Sequence, residues 1–316
     1  MTPEQILADI YSDRVKKVIM DGDYSAEMDD QYTLVYAYGH KKLEVLGVNA
    51  VAHYAEPRFT KTSTIVRFSL GRAAQVYWAM GLSPEELPLN MGPEKQITHN
   101  NNEPVDCPSA RFIIEMAHKY DEPIYVITTG PCSSAVSACL MDPSVKEKIV
   151  VVWLGGNCLH EWYIGSPFHE WNMHADFAAS QMLLNMDIPL IMLPCYPNGS
   201  AKIVMTKDDL AKIEGTNTLA RFLKNELPRV CTPDAEFDDP NWSKIMCDYM
   251  GVAAITVPDA MKLSIVPAPV LCDDTSYAID STRRKIIIGV DPDSDAIVAD
   301  SIEALNNAVR NFPYDF

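Results

Sequence analysis

Short apolar runs rich in β-branched residues recur along the chain with helical patterns between them, and this alternation limits the fold more than any other feature. Val15 to Met20, Leu43 to Val51, Ile124 to Thr128, Ile149 to Leu154 and Ile188 to Leu193 predict buried strands. Tyr32 to Tyr38, Thr62 to Leu70, Ser109 to Tyr120, Ser133 to Leu140 and Asp176 to Leu184 predict the intervening helices. Strands apolar on both faces need cover on both, so the expected fold is α/β, an open, mostly parallel, Rossmann-like sheet with helices on both faces. Further on, Lys207 to Leu227 and Trp242 to Ile255 predict helices, Leu263 to Leu271 and Lys285 to Val290 strands, and Ser294 to Val309 a closing helix. No Gly/Ser tract or internal repeat divides the 316 residues, and a single domain over 1–316 is expected.

The first predicted strand runs into Met20-Asp21-Gly22-Asp23-Tyr24-Ser25-Ala26-Glu27-Met28-Asp29-Asp30, which sets five carboxylates in one loop. Like charges crowded at a strand end are costly unless a cation or a set of donors neutralises them. A solvated acidic turn is the bland alternative. The loop's place weighs against it, because ligands of open α/β sheets gather beyond the carboxyl ends of strands. With no His or Cys in the segment, oxygen ligands favour Ca²⁺ or Mg²⁺ over Zn²⁺.

The formal net charge of −17 opposes binding to nucleic acid backbones and to anionic membranes, and leaves a neutral or cationic small molecule as the fitting partner. The 8 cysteines stand singly, and Cys139, Cys195 and Cys272 lie in apolar runs, so most are expected to be reduced core thiols. No apolar run approaches spanning length and the first residues lack a signal-peptide pattern, so no membrane contact and a cytoplasmic location are expected.

Three further segments carry chemistry. Thr129-Gly130-Pro131-Cys132-Ser133-Ser134 is a strand-to-helix turn in which Ser133 or Ser134 can cap the helix and a strand-end carbonyl can serve a cation. Glu170-Trp171-Asn172, if extended, points Glu170 and Asn172 the same way, toward a polyhydroxylated ligand; a surface loop with caps is the plain alternative. Asp248 sits in the apolar stretch Ile245 to Ala254, where an unpaired carboxylate must start a helix or meet a cation or donor.

Taken in order, the aspartate cluster, Thr129-Gly130-Pro131, Gly155-Gly156, Glu170-x-Asn172 with Ala175-Asp176, and Asp248 resemble the inosine-uridine nucleoside hydrolase family from about Val15 to Pro258. The resemblance implies calcium-dependent hydrolysis of the N-glycosidic bond of a free ribonucleoside, in a homodimer or homotetramer. It implies Asp23, Asp30, the Thr129 carbonyl and Asp248 as calcium ligands, with Asp23 also the catalytic base. Asp29, Glu170 and Asn172 are then expected to hold the ribose. The chain departs from the family pattern in three places. Cys247 stands where His is usual, the first loop is two residues longer and carries Glu27, and His53-Tyr54 replace Gly-Asn. Cys247 and Tyr54 are accordingly expected at an unusual base pocket, near Trp153, Trp162, Trp171 and the Thr98 to Asn102 loop.

A thiol is a weak proton donor, so the leaving base needs another acid or must leave without one. His53, His99, His160, His169 and His174 are the candidates for that acid, and a 7-deazapurine nucleoside such as queuosine is the candidate that needs no acid at N7. Two other readings compete. Asp21-Gly22-Asp23 after a strand also suits a haloacid dehalogenase-type phosphohydrolase, although no convincing Lys accompanies it. A non-catalytic, calcium-dependent nucleoside-binding protein is the other, and the presence of Asp23 argues against it.

Overall fold

The computed structural model describes residues 1–53, 62–159, 170–312 and 315, without the side chains at 62, 63 and 99. Its centre is an eight-stranded sheet. The strands of the chain are β1 (Lys16–Gly22), β2 (Leu43–Ala50), β3 (Leu89–Met91), β4 (Ile124–Thr128), β5 (Ile149–Leu154), β6 (Leu190–Leu193), β7 (Val204–Thr206), β8 (Ser243–Ile245), β9 (Lys262–Pro267), β10 (Val270–Leu271), β11 (Tyr277–Ala278) and β12 (Lys285–Val290). The sheet order is β3-β2-β1-β4-β5-β6-β12-β9, parallel throughout except for the antiparallel edge strand β9. β7 with β8 and β10 with β11 form separate antiparallel pairs.

The continuous apolar runs are explained by the pleat. Val18 and Met20 of β1 and Val150 and Val152 of β5 enter one core with the helices Asp29–Gly39, Tyr249–Thr256 and Ser294–Asn311. Ile19, Val151 and Trp153 enter the other, with the helices Pro108–Lys119, Ser133–Met141 and Phe177–Asn185. Alternate side chains thus serve opposite helical layers. From β1 the chain crosses to β2 on one side, while β4 lies on the other, so the β1/β4 boundary is the switch point at which an open sheet leaves a crevice.

Several expected boundaries move. The helix expected at Tyr32 begins at Asp29, because the positive end of the helix dipole suits the two aspartates in its first turn. The Thr62 helix continues to Met80. The single helix expected over Lys207 to Leu227 is broken, with Gly215 at φ +76° and Asn217 capping a new start. Trp242 to Ile255 is not one helix: Ser243–Ile245 pairs with β7, and the helix starts only at Tyr249. That strand matters, because Met246 N donates to Ile203 O and so carries Cys247 and Asp248 to the sheet's carboxyl edge. Pro267 and Pro269 divide the strand expected over Leu263 to Leu271 into β9 and β10.

Asp176 ties three segments together. Its fully buried carboxylate accepts from Ile97 N (2.7 Å), Thr98 N, Thr98 Oγ1, Ser133 Oγ (2.6 Å) and Ala179 N. Ser133 therefore serves Asp176 rather than capping its own helix, and Ser134 accepts from Ser109 Oγ. Replacing Asp176 with Ala leaves these buried donors unpaired and is expected to cost about 3 kcal/mol or more of unfolding free energy, read from denaturant midpoints. A loss below about 1 kcal/mol would contradict the role.

Candidate active site

A cleft of about 280 Å³ opens at the carboxyl ends of the strands. Asp23 follows β1, His53 follows β2, Thr129 follows β4, Leu154 ends β5 and Cys195 follows β6. Asp29 and Asp30 enter from the start of their helix, and Cys247 with Asp248 from the segment after β8. A larger cavity of about 680 Å³ lies at the opposite, amino ends of β6 and β12, away from the carboxylate cluster and from the end of the sheet that takes ligands.

The acids are packed at close quarters. One carboxylate oxygen from each of Asp29, Asp30 and Asp248 lies within 4.8 Å of the others, and all three residues are buried. Asp23 is hydrogen-bonded to Asp30, Thr129 Oγ1 donates to Asp30 Oδ1 (2.7 Å), and Asp248 N donates to Asp29 Oδ2 (3.3 Å). Gly22 permits this packing, since a Cβ there would stand 2.7 Å from Asp30 Oδ1 and 2.8 Å from Thr129 Oγ1. Glu27 is exposed at the rim and paired with Lys244.

Burial dominates the electrostatics. It pushes Asp23 up to about 7, with the charges of Asp29 and Glu170 adding to the rise. It raises Asp29 to about 6, helped by Glu27, and holds Asp30 and Asp248 well above the usual carboxylate range, reinforced by their neighbouring acids. Asp21, two residues before Asp23, is wholly buried and is pushed up to about 7 by burial, against the lowering effect of Ser134 and Asn49 beside it. No Lys or Arg is among the described residues lining the cleft. Hard oxygen donors, crowding and the lack of a lining Lys or Arg together fit a divalent metal, and the oxygens close enough to share one belong to Asp29, Asp30 and Asp248 rather than to the expected set with Asp23.

The other expected residues converge on the same cleft, with their polar atoms already in use. Glu170 caps the short helix Trp171–Ala175, accepting from Asn172 N and Met173 N, and also from Gly156 N (2.7 Å). Asn172 Nδ2 donates to the carbonyls of Thr129 and Leu154, both at 2.9 Å, and a carbonyl oxygen with one donor keeps a second lone pair. The pair is therefore held by helical and turn geometry rather than by the extended segment expected.

Some expectations fall elsewhere. Trp153 is wholly buried in the second core, as the pleat of β5 requires, and is not a base-stacking residue. Thr98 is committed to Asp176. Trp171 does reach the cleft and is 60% exposed, and His53 lines it. His174 is exposed on its helix and is not among the cleft's lining residues. Tyr54, His160, Trp162 and His169 lie outside the described residues, as does the His99 side chain. Two cleft residues were missed in the sequence. Cys195, expected in the core because of the apolar run before it, stands one residue past Pro194 at the open end of β6, and Ser200 lies in the turn that follows.

Comparison with known proteins agrees with this fold. The family model described as inosine-uridine preferring nucleoside hydrolase matches residues 18–303. A plant nucleoside hydrolase superposes with a TM-score of 0.70 at 15% identity, covering 92% of this chain and 99% of that one. An inosine-uridine preferring nucleoside hydrolase from Bacillus anthracis gives 0.67 at 16%, covering 92% and 99%. A purine-preferring ribonucleoside hydrolase from Gardnerella vaginalis gives 0.70 at 16%, covering 93% and 99%. At such identities the likeness is one of fold. No curated protein sequence matches the chain.

The raised acids fix a sign for pH dependence. Asp23 and Asp29, held to about 7 and about 6, keep protons in the folded chain that the unfolded chain releases near the ordinary value of 3.8. The folded state then binds more protons between these limits, and unfolding free energy falls as pH rises through them. Metal-free protein is expected to melt at a lower temperature at about pH 8 than at about pH 5, and added Ca²⁺ to raise the melting temperature more at the higher pH. A chelated protein equally stable at both values, and indifferent to Ca²⁺, would contradict the assignment.

Proposed function

The chain belongs to the inosine-uridine nucleoside hydrolase family, and from that membership we propose that it is a calcium-dependent enzyme that hydrolyses the N-glycosidic bond of a free ribonucleoside to ribose and base. The observation that carries this reading is the group of four buried aspartates, Asp23, Asp29, Asp30 and Asp248, at the switch point of the sheet. Among the described residues, no helix is long and apolar enough to cross a membrane.

Asp23, Asp30, Asp248 and the Thr129 carbonyl are the proposed calcium ligands. A bound divalent cation would lower the pKa of a water and anchor vicinal sugar hydroxyls. Asp23 takes the proton of the attacking water on its carboxylate. Asp29 accepts from a ribose hydroxyl, and Glu170 and Asn172, fixed by their backbone contacts, border the rest of the sugar. The carboxylates also stabilise the positive charge that grows on the ring as the base leaves. Cys247 is held as a neutral thiol, its titration raised by the adjoining Cys195 and by burial. A neutral thiol donates weakly, which favours bases that leave without protonation at N7, such as a 7-deazapurine.

The haloacid dehalogenase alternative lacks support, because no Lys is among the described residues lining the cleft. A pure nucleoside binder would have no use for a buried base at Asp23. Replacing Asp23 with Asn is expected to lower kcat by about a hundredfold or more on ribonucleosides, and a 2′-deoxynucleoside is expected to be a poor substrate for the parent. Rates on inosine, uridine and a 7-deazapurine nucleoside, each with and without chelator, measure both. Parental turnover by the Asn variant would contradict the mechanism, and a clear preference for inosine or uridine would contradict the 7-deazapurine choice.

A further inference from the structure

The cleft is chemically two-sided. Aspartates occupy the end formed after β1 and β4, where a polyhydroxylated sugar fits. Cys195, Ser200 and Cys247 occupy another part of the wall, formed after β6 and β8. The Cys195 and Cys247 thiols lie against each other, so Cys195 belongs to the same part of the cleft as Cys247. Soft, polarisable sulfur suits the face or edge of a heteroaromatic ring better than a ring of hydroxyls.

Ser200 is the telling residue. It is fully buried and lines the cleft, and among the described residues its Oγ meets no stronger partner than the Cys195 thiol. A buried hydroxyl left with so weak a partner keeps hydrogen-bonding capacity for a group from outside the chain. Its position is also held rigidly. Ser200 N donates to Pro194 O (3.0 Å), Ala201 N to Cys195 O (3.2 Å) and Cys195 N to Gly156 O (2.9 Å). Gly199 lets this turn close, since a Cβ there would lie 1.7 Å from Pro194 O.

Resting on the nucleoside reading above, we propose that Ser200 and Cys195 join Cys247 as the wall that recognises the nucleobase, with Ser200 Oγ hydrogen-bonding a polar edge of the base. The turn after β6 then sets base preference, while the aspartates set sugar preference. Removing the Ser200 hydroxyl costs the described chain at most its weak contact with the Cys195 thiol, so function and folding separate at this position.

The experiment compares inosine with p-nitrophenyl β-D-riboside, whose leaving group departs without protonation and lacks the polar edge of a base. For Ser200→Ala the ratio of kcat/KM on inosine to that on the riboside is expected to fall about tenfold, with a melting temperature equal to or above the parent's. Cys195→Ala is expected to lower the same ratio in the same direction. A ratio within about twofold of the parent's in both variants would overturn the proposal while leaving the hydrolase reading intact. A lower melting temperature with equal losses on both substrates would mark a structural hydroxyl and overturn it as well. A parent protein that cleaves neither the riboside nor any ribonucleoside would overturn the hydrolase reading and this one with it.

Discussion

Everything in this structure is arranged around the cost of burying acids together. Asp23, Asp29, Asp30 and Asp248 are each at most 6% exposed, and no Lys or Arg is among the described residues of the cleft wall to offset them. Burial and mutual repulsion raise their affinity for protons, which is the chain's response when no cation is present. Such an arrangement works against stability, and it persists because the rest of the fold outweighs it.

The fold meets that cost by making the surroundings rigid. The parallel sheet puts the ends of β1 and β4 side by side, a helix presents its N-terminus to Asp29 and Asp30, and the β7–β8 pair brings in Asp248 from far along the sequence. Gly22 leaves room for the Asp30 and Thr129 side chains to meet. Behind the cleft, Asp176 joins three segments through its five donors, and Glu170 and Asn172 lock the helix that follows the undescribed stretch 160–169. Glu170 and Asn172, which line the cleft, are thus fixed by bonds to the backbone, so their positions are set before any ligand arrives.

Much of the sheet was legible in the sequence because its strands are buried on both faces, and the short length and β-branched residues of the five apolar runs favour strands over helices. The acidic loop was legible too, since its charge density has few structural uses. Trp242 to Ile255 misled because its apolar spacing suits a helix, while the pairing of Ser243–Ile245 with β7 depends on a partner about forty residues away. Trp153 misled because an aromatic residue near a strand end can face either layer, and only the pleat decides. Cys195 and Ser200 gave no signal. A lone thiol after an apolar run looks like core, and nothing local reveals that β6 ends beside the cleft.

The central proposal is that Asp23, Asp30 and Asp248 with the Thr129 carbonyl hold one calcium ion that, beside Asp29, anchors the sugar of a nucleoside. A crystal structure grown at about pH 7.5 with Ca²⁺ and ribose tests it most directly. The account predicts one ion bound by oxygens of Asp23, Asp30, Thr129 and Asp248 at about 2.3 to 2.6 Å, with ribose hydroxyls completing its shell. Density showing these carboxylates paired with one another, with no ion between them and ribose absent from the cleft, would contradict it.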